Sequence, residues 1–383
     1  MKDIKSSNKV INAWCMYDWA NSVYSLVITT AIFPIYYNAV TTSSTGSYIV
    51  SFFGIEIVNS VLYSYSLSFS FLLLTIIQPI LSGIADYSGN KKLFLRLFMY
   101  LGSASCMSLY FFDGNNVEFG IICSVFASIG FTGSLVFYNA FLPEISSEKD
   151  FDKISARGYS FGYVGSVILL IICLIIIQKF DVFGFPDSQS ATKFTFLLVG
   201  IWWISFSQLT LYYLPQKNKG IKITLDVLTY GTKELIKVWN YIKNFKNLKL
   251  YLFSYFFYSM GVQTIMLVAS YFGSKELNLD QDKLIFTILI IQIIAIFGAY
   301  FFAYISQIKG NKFSLVVMNI AWIFICLSAY FTTNENQFYF LAAAVGILMG
   351  GIQSLSRSTF SKLIPSEIND NASFFNFYAI SYN

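Results

Sequence analysis

The apolar runs of this chain are too long and too many for a soluble core. Ten of them, at 11–39, 61–84, 93–112, 119–142, 159–178, 194–214, 250–273, 284–307, 313–331 and 337–356, are each long enough for one crossing, and another opens near Ala372. A bilayer core about 30 Å thick takes about twenty apolar residues in a helix. Within lipid a continuous apolar run can satisfy its own backbone only as a helix. Charged residues make up 12% of the chain, against about 25% in ordinary soluble domains. The expected fold is therefore all-α, a polytopic membrane protein.

The net charge of +5 could suggest an acidic partner, but its placement says otherwise. Counted by loops, 21 of the 25 Lys and Arg fall in the N-terminal tail and alternate connections; the other connections hold only Lys179, Lys193, Lys275 and Lys283. The positive-inside rule then puts the N-terminus and the Lys-rich loop 215–249 in the cytoplasm. No nucleic-acid partner is expected, because the lysines serve topology. Lys2, Lys5 and Lys9 precede the first run as in a signal peptide, yet that run is too long and lacks a small-residue cleavage site. It reads as an uncleaved first helix. Within 215–249, Leu235, Trp239, Ile242 and Phe245 recur at helical spacing between lysines, which fits a helix in the headgroup plane or a solvated linker.

Histidine is absent, and the five cysteines lie inside expected spans without CxxC pairing. They read as buried small hydrophobes, and no cofactor or metal is expected. The segment Trp14–Tyr37 carries one carboxylate. At 100° per residue Asp18, Asn21, Ser22, Ser25 and Thr29 form one polar stripe. A carboxylate at the centre of a lipid-facing helix costs about 2.5–3.5 kcal/mol on insertion scales, so the stripe should face protein or water. It could line a solute pathway, or Asp18 could stay hydrated in an aromatic belt with Trp14, Tyr17 and Trp19. In the seventh span Ser259, Gln263, Met266 and Ser270 repeat the pattern. In the tenth, Gly346 and Gly350 form a close-packing pair, and Gln353 and Arg357 share a face beyond it. Arg357 could equally be a snorkelling anchor. Asn139 could line the pathway or pack helices, and Gly158, Gly162 and Gly165 suit tight packing of the fifth span.

Gly89-Asn90-Lys91, after the second span, recurs as Gly310-Asn311-Lys312 after the eighth. Leu142-Pro143-Glu144-Ile145 has a looser echo in Ile364-Pro365-Ser366-Glu367-Ile368 at nearly the same offset. Two matches at one offset predict two bundles in the same orientation: residues 1–214 as a six-helix bundle, 215–249 as the loop, and 250–383 as a second bundle truncated in its eleventh helix. A binding site between them near the midplane follows.

The segment Gly83-Ile84-Ala85-Asp86-Tyr87-Ser88-Gly89-Asn90-Lys91-Lys92 resembles the loop signature of the major facilitator superfamily. Tyr17-Asp18-Trp19-Ala20-Asn21-Ser22, with Tyr138-Asn139-Ala140-Phe141-Leu142-Pro143-Glu144-Ile145, Arg157-Gly158-Tyr159, Gly261-Val262-Gln263-Thr264 and Gln353-Ser354-Leu355-Ser356-Arg357-Ser358, resembles its vacuolar amino-acid effluxer-like branch, the autophagy-related permeases and their bacterial relatives. The resemblance implies an alternating-access carrier of small polar solutes, amino acids among them. Asp18, Asn21, Ser22, Ser25, Asn139, Ser259, Gln263, Gln353 and Arg357 would line its pathway. It also implies a cytoplasmic gate built from Asp86, Gly89, Lys91, Lys92, Glu144 and Arg157. Ser82, Tyr87, Met260 and Gln307 depart from the family pattern, and the fourth span lacks an arginine of the proton-coupling type. Facilitated export and proton exchange therefore both stay open, as does a non-transporting sensor or remnant of the same fold. An enzyme would need a reactive cluster, and Glu144, Glu148, Asp150 and Asp152 are spaced like a solvated loop. A monomer in the lipid bilayer is expected, in a bacterial cytoplasmic membrane on the Asn, Ile and Lys richness of the chain.

Overall fold

The computed structural model describes residues 7–43, 46–216, 225–365 and 371–381, apart from the side chains of 225–230, Leu267, Ser270 and Tyr271. The first span begins as α1 (Asn8–Val23), widens to i→i+5 bonding over Tyr24–Ile32, and tightens again as α2 (Phe33–Thr41). Pro34 sits in the first turn of α2, where its missing N–H costs nothing. A hairpin of β1 (Ile49–Phe52) and β2 (Ile55–Val58) follows. Its Phe53-Gly54 turn has φ of +49° and +83°, the positive pair that a two-residue hairpin turn requires.

Long helices make up the rest: α3 (Asn59–Ser88), α4 (Lys91–Ser108) and α5 (Val117–Asn139), a short α6 (Leu142–Ile145), then α7 (Phe151–Gln178) and α8 (Ser188–Tyr213). After α9 (Leu225–Asn244) come α10 (Lys246–Lys275), α11 (Gln281–Lys309), α12 (Asn311–Tyr330), α13 (Glu335–Leu363) and α14 (Asn371–Ile380). Among the described residues nine helical segments are long and apolar enough to cross a membrane, and α10 is a further long helix with lysines at both ends. The protein is an all-α multi-pass membrane protein. Its outward surface agrees: Phe297, Phe301, Tyr304 and Ile308 form an exposed apolar stripe along α11, a face suited to lipid.

Helices in lipid gain little from hydrophobicity alone and associate through close packing of small residues. Here α13 lies on α11 with Gly350 against the backbone of Ala295 and Gly346 against that of Ile291, so the close-packing pair does occur. On α7, Gly162 abuts Ser22 and Gly165 abuts the Trp19 carbonyl, drawing α7 onto α1. Thr210 of α8 donates to the Ala13 carbonyl at 2.6 Å and fixes α8 to the same helix. The first six membrane helices meet the later ones where α7 packs against α11 and α13, and where α14 packs against α3 and α5. Both Gly-Asn-Lys motifs mark helix junctions. Gly89, at φ +71°, ends α3 before α4, and Gly310, at φ +86°, separates α11 from α12. The looser echo at Ser366–Ile368 lies outside the described residues.

Along the expected stripe Asp18 and Asn21 are buried and Ser25 is exposed. Two expectations need correction. Cys326 is exposed on α12, whereas the other four cysteines are buried. The loop helix α9 is neither a solvated linker nor wholly a headgroup helix. It buries Gly231, Val238 and Ile242, at helical spacing, and packs on α3 and α14, while Ile236, Trp239 and Phe245 stay largely exposed. Trp239 stacks on Phe377 at 5.6 Å. The closest point is Gly83 against Gly231, where a Cβ on Gly83 would strike the Gly231 carbonyl. Replacing Gly83 by Val should therefore lift α9 off α3. Limited trypsin cleavage at Lys233, Lys237 and Lys243 should speed up about tenfold, while the transmembrane core stays resistant.

Candidate functional site

Charge buried far from water is the feature that organises the site. Asp18 of α1 and Arg357 of α13 are 4% and 1% exposed, and they meet where the first six membrane helices face the later ones. Arg357 Nη1 donates to Asp18 Oδ2 at 3.1 Å and to Asn139 Oδ1 at 3.3 Å. Its Nε donates to Ser155 Oγ and its Nη2 to the Ser155 carbonyl, both at 2.9 Å. The Tyr138 hydroxyl donates to Asp18 Oδ2 at 2.8 Å. The ring of Tyr159 lies 4.2 Å from the guanidinium carbon and that of Trp14 4.7 Å. Trp14 is itself held by its indole N–H on the Tyr138 carbonyl and by stacking on the Tyr138 ring at 4.6 Å. Gly158 leaves the room for this: a Cβ there would sit 2.5 Å from Asp18 Oδ2 and 2.8 Å from Arg357 Nη2.

A buried ion pair survives only when its lone pairs and protons are matched; here four hydrogen bonds engage the guanidinium and two converge on Asp18 Oδ2. Neither the aromatic-belt alternative for Asp18 nor the snorkelling one for Arg357 describes them. Trp14 and Tyr17, the supposed belt, are fully buried. Among the other stripe residues, Asn21 is 1% exposed, and its side-chain amide nitrogen has no partner among the described residues. Ser22 is half-buried beside Gly162, and Ser25 is exposed.

A small cavity of about 30 Å³ adjoins the ion pair, lined by Tyr159, Tyr258, Ser259, Gln263, Gln353 and Ser356 among others. Tyr159 is shared, touching the cavity on one side and the guanidinium on the other. Gln353 Oε1 accepts from the Tyr163 hydroxyl at 2.7 Å, and the Tyr258 hydroxyl and Ser356 Oγ share a hydrogen bond of 2.7 Å. Ser259 donates to the Ser381 carbonyl at 3.2 Å. The structure thus brings Ser259, Gln263 and Gln353 around one space. That space holds on the order of one or two waters, far below the roughly 300–1,000 Å³ of a filled ligand pocket. Met266 is half-buried, and the Ser270 side chain lies outside the described residues.

At the lysine-rich end, called the basic face here, further bonds cross between the same two sets of helices. Asp86, ending α3, accepts from the Ala372 and Ser373 amides at 3.1 and 2.7 Å, placing a carboxylate on the N-terminus of α14. Glu144 pairs with Lys91 and accepts from Asn371 at 3.3 Å. Two expected gate residues do other work: Lys92 donates to the Leu214 carbonyl at 3.0 Å, just past α8, and Gly89 supplies the left-handed end of α3. Arg157 makes no ion pair among the described residues and lies 5.5 Å over the Phe161 ring. The sequence reading missed Asp152. Treated as part of a solvated loop, it is 1% exposed and accepts from Lys362, Ser306 and Asn311 at 2.6–2.9 Å. The available clue was Asn311 itself, within the repeated Gly-Asn-Lys.

Comparison with known proteins bears on the family and the fold. The family model "Vacuole effluxer Atg22 like" matches residues 6–382. An uncharacterized MFS-type transporter, YxiO of Bacillus subtilis, is 33% identical over 379 residues, covering 98% of this chain and 86% of its own. Autophagy-related protein 22-1 of Emericella nidulans is 23% identical over 426 residues, covering 88% and 71%. In fold, the chain is similar to the proton:xylose symporter XylE, with TM-score 0.65 and 12% identity, covering 97% of this chain and 85% of that one. A bacterial homologue of the iron transporter ferroportin in an outward-facing state gives TM-score 0.62 at 11% identity, covering 97% and 89%. A membrane transporter fold with a charged, aromatic-walled seam between its helix sets and a family match along nearly its whole length place this chain in the vacuole effluxer Atg22-like branch of the major facilitator superfamily.

Proposed function

We propose that the protein carries small polar solutes, amino acids among them, across the membrane by alternating access. Residues 1–214 and 250–383 would move as two units joined by 215–249. The observation that carries this reading is Arg357, whose charge sits on α13 while its hydrogen-bonding partners sit on α1, α5 and α7. Polar side chains from both sets of helices converge there and on the adjoining cavity, as a solute pathway needs. Most of the charged hydrogen bonds that cross between the sets, those of Asp152 and Asp86, lie toward the basic face, so the described conformation is closed on that side. With the basic face in the cytoplasm by the positive-inside rule, the closed side is the cytoplasmic one. A bacterial cytoplasmic membrane suits the relationship to YxiO, and export suits the effluxer family.

Purified protein in liposomes loaded with a labelled amino-acid mixture should release label faster than protein-free liposomes. Equal release would refute the reading. The latch on the basic face gives a second expectation. In a background with its five cysteines replaced, a cysteine at Ser306 should react slowly with a membrane-impermeant maleimide applied to the basic face. Asp152→Ala should raise that rate about tenfold or more, because losing one partner of a buried ionic cluster favours the separated state.

A further inference from the structure

Among the described residues, every polar partner of the Arg357 guanidinium comes from the first six membrane helices. Asp18, Asn139 and Ser155 supply its hydrogen bonds, and Trp14, Tyr138 and Tyr159 supply the rings over its faces. When the two helix sets part at the basic face, α13 withdraws Arg357 from all of them together. Asp18 is not stranded in the same way, since the Tyr138 hydroxyl on its own side still donates to it. A guanidinium stripped of these fixed partners is free to pair with another anion, and a charge-assisted bond to that anion takes the place of Asp18.

We infer that Arg357 is the subsite for an anionic group of the transported solute, and that Asp18 is the internal anion filling this subsite when the carrier is empty. The inference rests on the alternating-access reading above. The chemistry favours a carboxylate. With α1 and α7 withdrawn, the nitrogens now held by Asp18, Asn139 and Ser155 become free together, and a planar carboxylate can meet two of them at once. The small space on the α10 and α13 side, lined by Tyr258, Ser259, Gln263 and Gln353 and widened as α7 carries Tyr159 away, then receives the rest of the solute.

A consequence for flux follows from the swap. The loaded carrier closes over Arg357 with the solute's own anion, and the empty carrier closes with Asp18. Removing the charge of Asp18 spares the first movement and stalls the second, which turns a net transporter into an exchanger.

Liposomes containing the protein and a labelled amino-acid mixture test this in two assays: net efflux into solute-free buffer, and counterflow against the same amino acids unlabelled outside. Asp18→Asn keeps a hydrogen-bond acceptor for Arg357. It should hold counterflow within about threefold of wild type while net efflux falls about tenfold or more. Both activities unchanged would overturn the inference, as would both lost in a variant with the wild-type melting temperature. If the variant melts early, wild type answers the same question. Placed outside in place of the parent acids, the amino-acid amides, which lack the carboxylate, should drive no counterflow where the parent acids drive it, and equal counterflow would overturn the assignment. Wild-type protein that moves no label in either assay would instead refute the transport reading, and this assignment with it.

Discussion

One hydrogen-bonded ion pair in a water-poor seam sets the terms for the rest of this protein. Asp18 and Arg357 could each be tolerated alone near a headgroup, but buried they depend on one another. The surrounding architecture serves that dependence. Gly158 leaves space, Ser155 occupies two guanidinium nitrogens, Asn139 and Tyr138 complete the polar contacts, and the rings of Trp14 and Tyr159 sandwich the charge. The pair and these partners come from four helices, so the pair also fixes how α1, α5, α7 and α13 sit together.

The crossing contacts grow more polar from the seam toward the basic face. Beside the pair, Ser155 donates to the Ser354 carbonyl and Tyr163 to Gln353. Further out, Asp152 gathers Lys362, Asn311 and Ser306, and Asp86 caps α14. Contacts of this kind are strong while dry and exchange readily for water once a gap opens. They suit a face that closes and reopens, whereas Gly350 against Ala295 on α13 and α11 suits a joint that moves as one piece. The helix α9 bridges α3 and α14 on the outside of the same face, so it touches both sets of helices.

Local interactions made much of this legible in advance. The helices were readable because apolar length alone demands them in lipid, and the junctions at Gly89 and Gly310 because a repeated Gly-Asn-Lys stands at each. Asp18 and Asn21 were readable as inward because one α-helical turn relates them. The switch to wider bonding at Tyr24 was not, since it rests on backbone hydrogen bonds that residue spacing does not reveal. Arg157 and Asp152 show the same limit. Both stand near the start of α7, two charges of ordinary appearance, and only the approach of α11 and α13 decides that Asp152 is buried in a cluster while Arg157 lies over Phe161.

By itself, then, the sequence determined that the chain is a bundle of membrane helices, where most of them begin and end, and that a few polar residues must be hidden from lipid. These are consequences of local length, spacing and the cost of charge in hydrocarbon. The tertiary structure alone decided which hidden residues meet. Asp18 and Arg357 stand 339 positions apart, and Asp152 and Lys362 stand 210 apart. No local rule couples such distances; helix packing does, through glycines that let backbones close and charges that need a partner once water has gone.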